Sequence, residues 1–480
     1  MNAIGSRWSK FTTVWLNVST TFLPFADAAS KDLPLARLLR LSLFQVTVGM
    51  ASALTVGTLN RVLIVELGAA ATLVSVMVSL PLFFAPFRAL VGFKSDTHRS
   101  ALGWRRVPYI WFGTLIQFGG LAIMPFALLV LSGDNHAPVV VGQIGAALAF
   151  LLIGVGLQTT QTAGLALATD LASEEARPRV VALMYVMLLV GMFISSFVFG
   201  FLLLDFTPLR LIQVVQGSAV LTVVLNVIAL WKQEARDPTR NRAQDETPEF
   251  REAWREFIVV PGARRFLVAV AMGTAAFAMQ DILLEPYGGE VLHLAVSQTS
   301  MLTAIFGAGA ISAFALAARL LGRGHNAFKL AAHGALCGLP GFAAIVLAAP
   351  LGSPLLFRLG ALVIGFGSGL FSVSTLTAAM GLDARGRSGL ALGVWGAVQA
   401  TAAGAAVGLG GLLRDATGAL AVRGDLGVAL ASNTTGYSVV YYIELLLLFA
   451  TLIAIGPLAR HALRDETSRT LRFGLAEFPS

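Results

Sequence analysis

Cysteine is almost absent. Cys337 stands alone, so no intrachain disulfide forms and no cage of several thiolates holds a metal. Charge is scarce too: 12% of the 480 residues are charged, half of the roughly 25% that a soluble domain carries. Most of the surface must therefore face something other than water. Histidine occurs six times, at His98, His136, His293, His325, His333 and His461. No Walker loop and no dinucleotide fingerprint in a strand–helix setting is found, so no enzyme is expected. Runs such as Gly365-Phe-Gly-Ser-Gly369 read as helix packing. No secretory leader is apparent, because the first apolar run follows some 35 mixed residues without a small-residue cleavage site. Insertion is expected to rely on the first transmembrane helix.

What is abundant is apolar: 56% of residues are hydrophobic and the mean hydropathy is +0.78. Runs at 107–131, 180–204 and 436–459 approach or exceed the ~20 residues that span a hydrocarbon core. Backbone polar groups in lipid must be satisfied within the segment, so the spans are helices. Twelve are expected, near 38–59, 70–91, 107–131, 138–166, 180–204, 209–231, 264–284, 297–318, 328–349, 355–379, 389–412 and 437–459. The fold class is an all-α polytopic membrane protein. Of 34 Lys and Arg, 28 fall on the side that holds both termini and the alternate loops. Arg61, Arg210, Arg358, Arg414 and Arg423 fall on the other side, and Arg88 lies within a span. The positive-inside rule makes the first side cytoplasmic and accounts for the net charge of +8 without nucleic acid.

The longest polar loop separates spans six and seven and carries Pro238, Pro248 and Pro261. It predicts two six-helix halves at 38–231 and 264–459, a central loop at 232–263, an amino-terminal segment at 1–37 and a tail at 460–480. Within the loop, Glu249–Phe257 reads as a short amphipathic surface helix. Ile4, Trp8, Phe11 and Trp15 fit equally an interfacial helix and a tail with chance aromatics. A weak repeat supports the halves: Asp170 precedes Arg177 and Arg179, and Asp383 precedes Arg385 and Arg387. Small residues in span eleven, Gly393, Gly396, Gly404 and Gly408, suit close helix contact.

The loop after span two holds Gly92, Asp96, Arg99, Gly103, Arg105 and Arg106. It resembles the loop motif of the major facilitator superfamily, with extra residues before Gly103. The resemblance implies a cytoplasmic latch formed by Gly92, Asp96, Arg99, Arg105 and Arg106; the plain alternative is that the charges anchor the loop. The matching loop Arg319–His325 lacks the acidic residue. Polar groups at membrane depth are few: Gln45, Asn60, Gln158, Gln161, Gln399 and Glu444. A greasy path suits a hydrophobic ligand better than a sugar or ion.

Span seven ends Gln280-Asp281-Ile-Leu-Leu-Glu285-Pro286-Tyr287-Gly288-Gly289-Glu290. Pro286 is expected to end the helix and the glycines to make a tight turn. Asp281 and Glu285, four apart, would share one face and bind a cation or perturb each other, or simply be solvated. This stretch, the run from Phe87 to Tyr109 and the run Thr169–Leu183 together resemble the bacteriochlorophyll delivery (PucC/LhaA) family, a branch of that superfamily. Length and the second loop are nearer the LhaA, core-antenna type. The resemblance implies assembly of light-harvesting antennae by handing bacteriochlorophyll to newly inserted antenna polypeptides. It implies those polypeptides as partners, with the reaction-centre core complex and bacteriochlorophyll synthase as further ones, in the inner or photosynthetic membrane. Pigment magnesium accepts hard oxygen or imidazole ligands. His333 is the first candidate, although it reads equally as a helix-end residue near Lys329; Gln280, Glu285 and Glu444 follow. A pigment-free chaperone for antenna helices and a proton-coupled transporter using Glu444 or Asp281 are the alternatives.

Overall fold

The computed structural model describes residues 33–83, 104, 106–132, 138–172, 177–234, 262–381, 388–432 and 434–465. Twelve helices fill them. The first six are α1 (Leu35–Glu66), α2 (Ala71–Phe83), α3 (Val107–Leu131), α4 (Val139–Leu171), α5 (Arg177–Leu202) and α6 (Pro208–Leu230). The second six are α7 (Ala263–Glu290), α8 (Val296–Gly322), α9 (Ala327–Ala348), α10 (Pro354–Gly381), α11 (Ser388–Arg423) and α12 (Thr434–Asp465). Eleven are long and apolar enough to cross a membrane, and α2, described to Phe83, is the shorter twelfth. No strand occurs among the described residues. The protein is a multi-pass membrane protein.

Several helix starts follow from local chemistry. The Thr207 hydroxyl accepts from the Arg210 N–H ahead of α6, and Pro208 occupies the first helical position, where no N–H is needed. The Asn326 carboxamide accepts from the Phe328 and Lys329 N–H groups to open α9. Gly262, at φ 83°, takes the left-handed turn that starts α7.

The helices pack in a pattern that repeats with a shift of six. Neighbours α3–α4, α2–α4, α1–α5, α1–α6 and α3–α6 in the first set become α9–α10, α8–α10, α7–α11, α7–α12 and α9–α12 in the second. Contact between the sets obeys the same shift, since α2–α11 becomes α8–α5. Two related six-helix units joined by an approximate two-fold give this result.

Close approach needs glycine at the α1–α5 crossing, where a Cβ on Gly49 would collide with the Leu188 carbonyl and one on Gly191 with the Val46 main chain. In α11 two of the glycines expected to make close contact, Gly396 and Gly408, do not. Gly396 faces open space and Gly408 has only ordinary contact with Ser79, whereas Gly411 presses on Ser75 and the Ala71 carbonyl.

At the carboxyl ends of three odd-numbered spans the helix runs on into charged sequence: α1 continues to Glu66, α7 to Glu290 and α11 to Arg423. Arg61, Arg414 and Arg423 therefore belong to helices, not loops. Carboxylate partners let Arg61 and Arg414 stay there, as shown below. Alternating helix directions place Arg37, Arg40, Arg106, Lys232, Arg264, Arg265, Arg319, Arg323 and Lys329 at one end of the bundle, the basic end. The other end is called the far end.

Candidate functional site

The stretch from Gln280 to Glu290 lies inside the bundle, not on an exposed turn. In α7 the α-helix stops at Ala278, tightens to a 3-10 turn over Met279–Ile282 and resumes as Leu284–Glu290. Pro286 is the third residue of that last segment and does not end it. Gly288 and Gly289 are helical and buried; the chain turns later, at His293 with φ 53°. The glycines serve close approach. A Cβ on Gly289 would stand 3.0 Å from the Arg61 guanidinium, and one on Gly288 would stand 3.1 Å from the Phe357 ring.

Pro286 has no N–H to offer the Ile282 carbonyl, its usual partner four residues back. The Asn60 amide of α1 donates to that oxygen at 2.8 Å. The break in α7 is thereby stitched to the other six-helix unit. Arg61, one residue on, is buried; it donates to Glu66 at 2.5 Å and to the Leu294 carbonyl at 3.1 Å. α1 runs as a π-helix over Ala53–Leu59 and Val62–Glu66 on either side of this pair. Such wide turns cluster at functional sites.

The two carboxylates of the stretch do not act as a pair. The 3-10 turn and the break at Leu283 change the helical register between them, and each takes its own partners. Asp281 accepts from the Gln280 side chain at 2.8 Å and lies within electrostatic reach of Glu444 of α12. Glu285 is buried, accepts from the Thr303 hydroxyl at 2.5 Å and faces Arg61. The reading of a solvated helix end fails for Glu285.

Glu444 is fully enclosed, and neither of its oxygens makes a well-formed hydrogen bond among the described residues. The Gln280 main chain and the Tyr441 ring lie beside it. Among the described residues, Asn60, Gln280, Glu285, Tyr441 and Glu444 each carry an unpartnered buried oxygen, and the Arg61 Nε beside Glu285 is an unpartnered buried donor. Buried polar atoms are nearly always bonded in folded proteins, so this acceptor-rich patch is a place where a ligand, proton or water belongs. Tyr287 roofs it, with ring centroids 5.3 Å from Tyr437 and 5.5 Å from Tyr441 and Phe357.

Toward the far end a second network closes the bundle. Arg414 of α11 pairs with Glu290 and Asp415, donates to the Tyr437 hydroxyl at 3.1 Å and covers that ring at 4.7 Å. The Tyr437 hydroxyl donates to Glu290 at 2.8 Å. Asp415 accepts from the Thr72 N–H at 2.6 Å and from its hydroxyl at 2.7 Å. Thr58 and Ser300 share a hydrogen bond of 3.0 Å. Of these, the Asp415–Thr72 and Thr58–Ser300 contacts join the two units, and both lie toward the far end.

At the basic end the expected latch is only partly in view. Gly92, Asp96, Arg99 and Arg105, and likewise Asp383, Arg385 and Arg387, lie outside the described residues. The segment Ile4–Trp15 and the central-loop helix Glu249–Phe257 lie outside them too. Arg177 and Arg179 open α5. Arg106 is buried and pairs with Asp170 at 3.0 Å, which joins a residue of the first loop to one of the second. Glu234 caps α3, accepting from the N–H groups of Arg106 and Val107 at 3.0–3.2 Å. These described contacts tie helices of the first unit to each other.

His333 stands apart from the patch, exposed on the surface of α9. The structure thus brings together Gln280, Asp281 and Glu444, puts Glu285 beside Arg61, and leaves His333 elsewhere. Sequence reasoning missed Arg61, Thr72, Arg414, Asp415, Tyr437 and Tyr441 as members of the core. Ionisable residues of both signs crowded at the ends of apolar runs, Arg61 with Glu66 and Arg414 with Asp415, were the available signal.

Twelve helices in two units related by a shift of six, enclosing a polar patch at their junction, define a transporter-type fold of the major facilitator class. A crystal structure of a bacterial homolog to the human lysosomal transporter Spinster, in an inward-facing and unoccupied conformation, superposes with a TM-score of 0.67 at 15% identity, covering 90% of this chain and 98% of that one. At the sequence level, the family described as PUCC protein matches residues 58–463, and the chain belongs to that family. Protein PucC of Rhodovulum sulfidophilum is 58% identical over 405 residues, 83% of this chain and 89% of that protein. A Rhodobacter capsulatus protein described as an uncharacterized protein in the puhA-bchM intergenic region is 54% identical over 470 residues, 97% of this chain and 98% of that protein.

Proposed function

We propose that this chain is a non-catalytic assembly factor for light-harvesting complexes. It binds bacteriochlorophyll and hands it to newly inserted antenna polypeptides, those of the core antenna in preference to the peripheral one. It works in the inner or photosynthetic membrane, with the basic end and both termini in the cytoplasm. Family membership supports the assembly role. The observation that supports the pigment reading is the cluster of unpartnered oxygens on Gln280 and Glu444 at the junction of the two units. Its unpartnered acceptors, Gln280 Oε1 and the Glu444 carboxylate, are hard donors of the kind that suit magnesium. When bound, the pigment supplies the central magnesium that these oxygens would ligate. Glu444 is enclosed, so loading requires α7 and α12 to part at Gln280. His333 offers an imidazole on the outer surface of α9 and is the rival position.

The test is genetic. Deleting the gene in a phototroph should abolish core antenna while bacteriochlorophyll synthesis continues, and restoring it should recover the antenna. Normal core antenna in the deletion strain would refute the assembly role.

A second reading, proton-coupled transport of a small solute, draws on Asp281 and Glu444, which lie within electrostatic reach of each other at depth. It expects Glu444→Gln to abolish solute flux while antenna assembly proceeds; the assembly reading expects the antenna to suffer.

A further inference from the structure

Pro457 interrupts α12 and has no N–H for the Ile453 carbonyl four residues back. Arg265, in the first turn of α7, donates to that carbonyl at 3.0 Å and to the Ala454 carbonyl at 2.8 Å. Beside this contact a groove of about 470 Å³ opens on the outer surface between α7 and α12. Arg264 and Arg265 stand at its basic-end mouth; Val268, Met272, Ala450, Ile453 and Ala454 form its walls.

Its chemistry is graded. Both cations sit within the first turn of a membrane span, where lipid headgroups lie, and everything below them is apolar. No lining residue is acidic, and neither arginine forms an ion pair among the described residues. Arg265 is held by carbonyls, which leaves its charge unneutralised. Arg264 is exposed and forms no hydrogen bond among the described residues. A partner that suits this surface is an anion with an apolar tail.

We infer that this groove binds one anionic phospholipid, with its phosphate on Arg264 and Arg265 and an acyl chain along Val268, Met272 and Ala450. Basic pockets between membrane helices recognise anionic headgroups in this way. The site is separate from the patch at Glu444 and does not depend on the cargo.

The full chain, purified in mild detergent, is titrated with phosphatidylglycerol or phosphatidylcholine, and native mass spectrometry counts the lipid retained. One phosphatidylglycerol per chain is expected, in preference to phosphatidylcholine. Arg264→Ala removes no internal contact and should weaken retention about fivefold, near the 1 kcal/mol of one cation at an anionic surface. Ala450→Trp, which fills the groove, should abolish it. Equal retention of both lipids, or phosphatidylglycerol retention that survives both Arg264→Ala and Ala450→Trp, would overturn the assignment. So would cross-linking of an antenna polypeptide in the groove in place of lipid.

Discussion

The carboxylate of Asp415, on α11, caps the first turn of α2 through Thr72, taking both its N–H and its hydroxyl. A residue of one six-helix unit thus satisfies the helix terminus of the other. Asp415 is itself held by Arg414, so the cap is part of the network that reaches Glu290 and Tyr437. Replacing Asp415 with Asn keeps the shape and removes the charge. The expected cost is about 1.5–3 kcal/mol, the range for a hydrogen bond to a charged group. It should appear as a lower thermal midpoint in detergent, with Thr72→Ala adding little on top because both changes break one contact.

Asn60 and Pro286 form a second dependence between the units. Asn60→Ala leaves the Ile282 carbonyl buried without a donor, at a cost of about 1–3 kcal/mol. Replacing Pro286 with Ala supplies an N–H to that carbonyl, so the double variant should recover part of the loss. A thermal-melt comparison of the two single variants and the double variant decides this; strict additivity would show that the two residues act separately.

Glycine substitutions should divide sharply. Gly49→Ala drives a methyl group into the Leu188 carbonyl of α5 and should abolish folded protein. Gly396→Ala and Gly217→Ala meet nothing and should express at the parental level. Fluorescence-detected size exclusion of the three variants distinguishes these outcomes.

The twelve spans were legible because apolar run length and the distribution of Lys and Arg are strong one-dimensional signals. Helix ends carrying charge were not. Arg61, Glu66, Arg414 and Asp415 read as loop residues because hydropathy scores each charge alone, while in the fold they neutralise one another. Pro286 and the two following glycines read as a stop for a similar reason. Their local meaning is a turn, but Asn60 supplies the missing donor, and Phe357 and Arg61 fill the space the glycines leave. The signature stretch was found, and Gln280, Glu285 and Glu444 were singled out. That Glu444 meets Gln280 from a helix more than 150 residues later is a tertiary fact no spacing reveals.

Two positions compete as the pigment ligand, and the structure separates them in space. Under the core-site reading, Gln280→Leu and Glu444→Leu lower bound pigment, while His333→Ala leaves it unchanged. The reverse pattern would move the pigment to the outer face of α9. Expression and elution profile of each variant guard against simple misfolding.

The central claim is that the protein carries bacteriochlorophyll itself. The most direct measurement is the near-infrared absorption spectrum of the tagged protein, purified in mild detergent from a bacteriochlorophyll-making host that lacks both antenna complexes. The account predicts a pigment band well above that of an unrelated tagged membrane protein, diminished by Gln280→Leu. A spectrum indistinguishable from that control would contradict pigment carriage and leave a pigment-free chaperone of antenna helices as the reading to pursue.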